Sequence, residues 1–207
     1  MEGYKEAFLL NHQEPDMKMR ILLAAKKLFA RQGYEGTSVR QICEEAGANI
    51  ALVSYHFGGK EKVFYELFKQ FFPSHLLEVY ANELIDPLKG MDILIREVIM
   101  LRHRDADLIT ILQLEMILNS PRIEVLRERA FPVWKKVREL LELGRTQGYY
   151  RFDSLDSTLM FVLGAIFFYK QREFFEPLFT DGQPDTETLI QQTKYFVMNG
   201  LGYTGAQ

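Results

Sequence analysis

Between Thr37 and Gly59 the sequence writes two apolar faces, each barely two helical turns long, on either side of a single glycine. Val39, Ile42, Cys43 and Ala46 share one face, and Gly47 is placed to supply the left-handed residue that stops that helix. Thr37 or Ser38 offers the hydroxyl that caps it. Asn49 caps the next helix and Phe57 closes it, so only about three residues separate the pair. Short helix, tight glycine turn, short helix is the helix-turn-helix pattern, whose second member is presented to the DNA major groove. That second helix has few polar atoms, and they collect at its exit, where Tyr55 and His56 precede Gly58, Gly59 and Lys60.

Glycine and proline cut the rest of the chain into helical lengths, with no convincing period-2 strand. Asp16 can cap a first helix in which Ile21, Ala25, Leu28 and Phe29 face one way, ending at Gly33. After the helix-turn-helix, Lys60 starts a longer helix expected to run through about Asn82. Helices are expected near residues 88–103 and 106–118. Ser120-Pro121 marks another start, with proline at the first helical position, and that helix should reach about Gly148. Two more are expected near 154–176 and 185–200. The fold class is all-α: an N-terminal three-helix unit at 16–60 and a larger helical bundle at 61–207, about nine helices in total.

Hydrophobic residues make up 47 % and charged residues 26 % of the 207, close to a soluble globular average. The longest apolar run, Leu159 to Tyr169, is well short of the roughly 20 residues a spanning helix needs. The N-terminus lacks the basic region and apolar stretch of a secretory signal, so the expected location is cytoplasmic, without a membrane partner. Whether residues 1–15 form an arm, a tail or lie upstream of the true start is left open, since Met17 and Met19 are also available.

Cys43 is the single cysteine and reads as a small buried residue rather than a nucleophile. Four scattered histidines carry no metal-ligand spacing, and no metal or cofactor is expected. Nor is there a nucleophile with a plausible base, a phosphate-binding glycine loop or a recognisable pair of carboxylates, which argues against an enzyme. The net charge of -3 hides an asymmetry: residues 17–62 hold eight Lys or Arg against four acids. A local excess of four positive charges is what an electrostatic DNA footprint needs.

The stretch "ILLAAKKLFARQGYEGTSVRQICEEAGA" followed by "NIALVSYHFGGKEKVF" resembles the N-terminal DNA-binding domain of the TetR family of transcriptional regulators. The likeness rests on G-Y/F-x-x-T-S/T, I-x-x-x-A-G, Y-H-F and K-E, and covers about a quarter of the chain. It implies that Thr37 holds a DNA phosphate at the start of the second helix. Tyr55, His56 and Lys60 would do so from the end of the third helix and the start of the fourth, each offering a donor to an oxyanion. Ser38 belongs to the same candidate surface. Asn49, Ile50, Ala51 and Ser54 would face the bases, with only Asn49 and Ser54 able to hydrogen-bond them and Ile50 and Ala51 suited to thymine methyls. Ser54 departs from the family, many of whose members carry Tyr there.

For the remainder, the resemblance implies a cavity lined by Met100, Leu112, Met116, Trp134, Phe168 and Tyr169, open to an unknown hydrophobic or amphipathic effector. The helices near 154–176 and 185–200 are apolar nearly all round where they carry "TLMFVLGAIFFY", and are the expected homodimer seam. The function implied is a ligand-responsive transcriptional regulator, a repressor by family habit, that binds double-stranded palindromic operator DNA as a homodimer. A helical ligand-binding or interaction protein without DNA binding is the alternative.

Overall fold

The computed structural model describes residues 16–203 and 205. The question of residues 1–15 lies outside the described residues. Among those described the chain is all-helical and contains no strand. In chain order the helices are α1 (Met17–Gln32), α2 (Val39–Ala46), α3 (Ile50–Phe57), α4 (Lys60–Phe71), the single-turn α5 (Leu76–Val79), α6 (Pro87–Arg104), α7 (Ala106–Leu118), α8 (Ile123–Thr146), α9 (Leu155–Phe167) and α10 (Thr186–Gly200). Two 3₁₀ segments, Glu83–Ile85 and Phe168–Leu178, complete the order. No helix is long and apolar enough to cross a membrane among the described residues.

They form two compact units. One takes the described residues up to Phe72 together with Thr110–Leu118; the other takes Pro73–Ile109 and the chain from Asn119 onward. In the first, α1 packs on α2 and α4, and α3 packs on both α2 and α4. Its core is Ile21, Ala25 and Phe29 of α1, Ile42 and Cys43 of α2, Val53 and Phe57 of α3, and Val63, Phe64, Leu67 and Phe68 of α4. The α4 side chains explain why that helix, which the sequence reading assigns to the second domain, lies in this unit. Rings of Phe29, Tyr34 and Phe64 meet at 5.4 to 5.7 Å between centroids. Burial raises the Cys43 thiol pKa, as expected of an apolar packing residue.

The second unit is built round α6, which packs on α8, α9, α10 and the Glu83–Ile85 turn. Asp86 caps α6 by accepting from the amides of Leu88 and Lys89, Pro87 occupies the first turn, and Arg102, His103 and Arg104 sit in the last turn against the helix dipole. Met91, Leu94, Ile95 and Ile99 of α6 join Val137, Leu140 and Leu141 of α8 and Ile190 of α10 in the core.

Three sequence expectations are corrected. The helix starting at Lys60 does not reach Asn82: it ends at Phe71, and Phe72 is extended at φ -76°, ψ 129°. Pro73 is the cause, because its ring excludes the helical conformation from the preceding residue. The helix expected from Pro121 starts instead at Ile123, whose amide donates to the Ser120 carbonyl at 3.0 Å, leaving Pro121 in the turn. The helix expected to reach residue 176 stops at Phe167 and continues as 3₁₀ to Leu178. No residue of that 3₁₀ segment is buried, so no packed face selects the α form there.

One close approach sets the geometry of the second unit. The ring of Tyr150 lies against Gly144 on α8, and its hydroxyl donates to the Pro87 carbonyl at 2.8 Å, a burial that raises its pKa. A Cβ at Gly144 would sit 2.2 Å from two ring carbons. Alanine is favoured over glycine inside a helix by about 1 kcal/mol, yet overpacking a rigid core costs about 1–3 kcal/mol. Gly144→Ala is therefore expected to lower the urea midpoint of unfolding, where an unobstructed helical glycine would raise it.

Candidate DNA-binding surface

The approach to the helix-turn-helix is a closed loop. After Gly33, the Thr37 hydroxyl donates to the Gly33 carbonyl at 2.8 Å, and the Gln32 amide reaches the Gly36 carbonyl at 2.8 Å and the Thr37 oxygen at 3.3 Å. Thr37 is 1 % exposed. Its hydroxyl faces the interior and is occupied, so the phosphate role implied by the resemblance is not available to it in this conformation. Ser38 is the cap of α2: its side chain accepts from the Gln41 amide, and the Gln41 side chain accepts in return from the Ser38 amide, a full capping box.

Gly47 then adopts φ 64° and stops α2. The backbone conformation calls for glycine; a Cβ there would also meet the end of the flexible Arg20 side chain at 2.6 Å, which would have to shift. Asn49 begins α3, its side-chain oxygen accepting from the Leu52 amide at 2.9 Å. That bond occupies the Asn49 oxygen and leaves its NH₂ as the group able to meet a base edge. Val53 and Phe57 bury the inner face of α3, while Ile50, Ala51, Ser54 and Tyr55 are exposed on the outer one. These four share a face by the i, i+1, i+4, i+5 rule. Tyr55 is 83 % exposed. His56 is half-buried, edge-on to the rings of Tyr55 and Phe57.

Lys60 is placed differently from what the resemblance implies. Its ammonium donates to the carbonyls of Tyr34 at 3.0 Å and Thr37 at 2.8 Å, and stands 4.1 Å from the centre of the Tyr34 ring. Of the basic excess, Lys27 pairs with Glu45 at 2.5 Å, Arg40 with Glu44 at 3.0 Å and Lys18 with Glu66 at 3.5 Å. These pairs are largely solvent-exposed and of little weight for stability. The sequence reading overlooked Gln32, Tyr34 and Gln41; Ser38 followed three residues later by Gln was the legible signal for the last.

The six candidate cavity residues are not gathered in one unit. Leu112 and Met116 belong to the first unit, and Met100, Trp134, Phe168 and Tyr169 to the second. Met100, Trp134 and Tyr169 pack half-buried on the second unit's core, whereas Met116 and Phe168 are 56 % and 61 % exposed. Arg102, which the sequence reading did not single out, donates to the Ile166 carbonyl at 3.3 Å and lies 5.1 Å from the Tyr169 ring centre. Burial lowers its pKa, partly offset by the neighbouring Tyr169, and it has no carboxylate partner among the described residues. Polar groups near it are engaged: Arg96 with Glu187 at 2.6 Å, Arg104 with Glu97 at 3.4 Å, and His103 with the Thr186 hydroxyl at 3.2 Å. No group of three or more candidate metal-ligating side chains occurs among the described residues.

A capped short helix with one bare outer face, held on two others by a left-handed glycine, defines a helix-turn-helix protein. Residues 21–67 match the family described as "Bacterial regulatory proteins, tetR family". The chain is 35 % identical over 74 residues to the HTH-type transcriptional repressor AcnR of Corynebacterium efficiens, a match spanning 36 % of this chain and 39 % of that one. It is 26 % identical over 155 residues to the HTH-type transcriptional repressor NicS of Pseudomonas putida, covering 72 % and 73 %. Among solved structures, HlyIIR, a hemolysin II transcriptional regulator, superposes with a TM-score of 0.69 at 27 % identity over 85 % of this chain and 96 % of that one. Over residues 21–67 the chain is thus similar to the TetR family of regulators, and its fold resembles that of a solved transcriptional regulator.

The buried loop network has a measurable signature. Replacing Thr37 by Val removes the donor to the Gly33 carbonyl and leaves a buried acceptor unpaired, at a cost of about 1–3 kcal/mol. Urea unfolding should show that loss for Thr37→Val and much less of it for Thr37→Ser, which keeps the hydroxyl.

Proposed function

We propose that the chain is a homodimeric, effector-responsive transcriptional regulator, acting as a repressor, that sets α3 of each protomer into successive major grooves of a palindromic operator. The observation that carries the reading is the outer face of α3: Ile50, Ala51, Ser54 and Tyr55 lie bare on a helix whose inner face is fully committed. Tyr55 and His56 supply donors to phosphates, the Ser38 hydroxyl being given to Gln41 Oε1 at 3.0 Å, while Ser54 and the Asn49 NH₂ are the groups able to read base edges. With no arginine on this face, bidentate pairing to guanine is absent and part of the specificity comes from DNA shape.

The second copy docks through α9 and α10. Phe161 and Met160 on α9, and Tyr195 and Phe196 on α10, are exposed, with Phe161 at 75 % and Phe196 at 70 %. Large exposed apolar side chains on neighbouring helices are the kind of surface that marks an interaction site. Two-fold symmetry then places the recognition helices one turn of DNA apart, about 34–36 Å. The effector is hydrophobic or amphipathic, and Arg102, a half-buried cation without a carboxylate, favours one with an acidic head group. Its leverage on DNA is limited to its differential affinity for the two conformers. The chain passes between the two compact units at Phe72–Pro73, within α7 and after Leu118, and these are the covalent routes for that coupling.

Selection of genomic fragments by the purified protein tests the reading, and a protein that enriches no sequence overturns it. Tyr55→Ala should weaken gel-shift affinity on every duplex by a similar factor, because a phosphate contact carries no sequence information. Phe161→Asp and Phe196→Asp should each shift the protein from dimer to monomer in sedimentation at micromolar concentration, and weaken operator binding with it.

A further inference from the structure

The resemblance assigns the phosphate at the exit of α3 to Lys60, and the geometry argues against that assignment. An ammonium has three N–H donors and no acceptor. Two of the donors of Lys60 are spent on the Tyr34 and Thr37 carbonyls, and the Tyr34 ring closes a further side of the ammonium at 4.1 Å. Turning this lysine to a phosphate would strip the loop that leads into α2 of two hydrogen bonds to α4.

Two residues on, Lys62 is in the opposite situation. It is exposed and has no hydrogen-bond or ion-pair partner among the described residues. Its stem folds back towards the recognition helix rather than along α4. A Cβ at Gly58 would lie 3.6 Å from Lys62 Cδ and 3.5 Å from Nζ. Gly58 is the left-handed residue that stops α3, its amide donating to the carbonyls of Ser54 and Val53. The free ammonium therefore stands beside Gly58, the residue that closes α3. The adjacent Glu61 makes no ion pair with it; one of its carboxylate oxygens accepts instead from the Tyr65 hydroxyl at 2.5 Å. A cation at this point also meets the C-terminal, negative end of α3, which holds it near the helix until a stronger anion arrives.

We propose that Lys62, not Lys60, is the lysine that neutralises a DNA phosphate at the exit of the recognition helix, and that Lys60 is a positioning residue that fixes the loop before α2. The inference rests on the DNA-binding function proposed above. It divides the two lysines by role: one contributes charge to the complex, the other contributes order to the free protein.

Salt dependence separates these roles, since each neutralised phosphate adds about 0.9 to the slope of log affinity against log salt. The full-length protein is titrated by fluorescence anisotropy against a labelled duplex of mixed sequence, between about 50 and 200 mM KCl. Lys62→Gln is expected to lower the slope by about 0.9 per bound protomer, with an unchanged melting temperature. Lys60→Gln is expected to lower the melting temperature and to keep the wild-type slope. Lys69→Gln, an exposed lysine near the far end of α4 paired with Glu66 at 3.6 Å, controls for net charge and should do neither. A wild-type slope in Lys62→Gln, or a reduced slope at an unchanged melting temperature in Lys60→Gln, overturns the inference while leaving DNA binding intact. A wild-type protein that shows no salt-dependent binding to the duplex overturns the DNA-binding function and this inference with it.

Discussion

The bond from the Lys60 ammonium to the carbonyls of Tyr34 and Thr37 organises the first unit. It joins the first residue of α4 to the loop between α1 and α2, across more than twenty residues of chain. That loop has no regular element and two glycines, and its other ties include the Gln32 and Thr37 hydrogen bonds within it and the packing of the Tyr34 ring. With the loop fixed, Ser38 is set to cap α2, Gly47 turns the chain, and α3 is laid on α2 and α4 in one orientation. Tyr34 contributes twice, through its carbonyl to the ammonium and through its ring to Phe29 and Phe64. A polar tie and an apolar core thus meet at one residue, and the cation-π contact adds about 0.5–1 kcal/mol or more as it loses solvent.

Local rules made much of this visible in the sequence. The capping roles of Asp16 and Asn49, the left-handed Gly47 and the buried Cys43 each follow from a residue type at a position, and each stands in the structure. Where two readings stayed open, as with Thr37 or Ser38 for the α2 cap, structure decided by the second hydrogen bond: Gln41 completes the box only with Ser38. Failures arose where the deciding contact is distant in sequence. Nothing near Lys60 announces that its partners are carbonyls of residues 34 and 37, and a side chain oxygen such as that of Thr37 reads as available until its acceptor is located. Pro73 is the exception, a local signal that was present and outweighed by the apolar pattern around it.

The second unit was less legible for a different reason. Side chains of Leu, Met and Phe fill a core, line a cavity or cover an interface with the same periodicity, so pattern alone does not tell these apart. Met116 and Phe168 read as cavity residues and are exposed, and Phe161 and Phe196, on the helices read as an apolar seam, are exposed as well. Only a polar group breaks the degeneracy. Arg102 does so, because a cation drawn partly out of water without a carboxylate is costly unless something satisfies it.

The recognition helix, finally, is economical in a way that shifts the burden of specificity. A helix of eight residues spends Val53 and Phe57 on its own core and one oxygen of its Asn49 cap on its own start. What remains for bases is two hydrogen-bonding groups, neither able to make the bidentate pair worth about 1–3 kcal/mol, and the apolar Ile50 and Ala51. Such a surface cannot distinguish operators by direct readout alone in a single half-site. Duplication by two-fold symmetry doubles the contacts at a fixed spacing, and the spacing itself becomes a criterion that random DNA fails. In the proposed dimer, docking through α9 and α10 is then more than assembly: with so little hydrogen bonding on α3, the distance between two such helices would carry sequence information that neither helix holds.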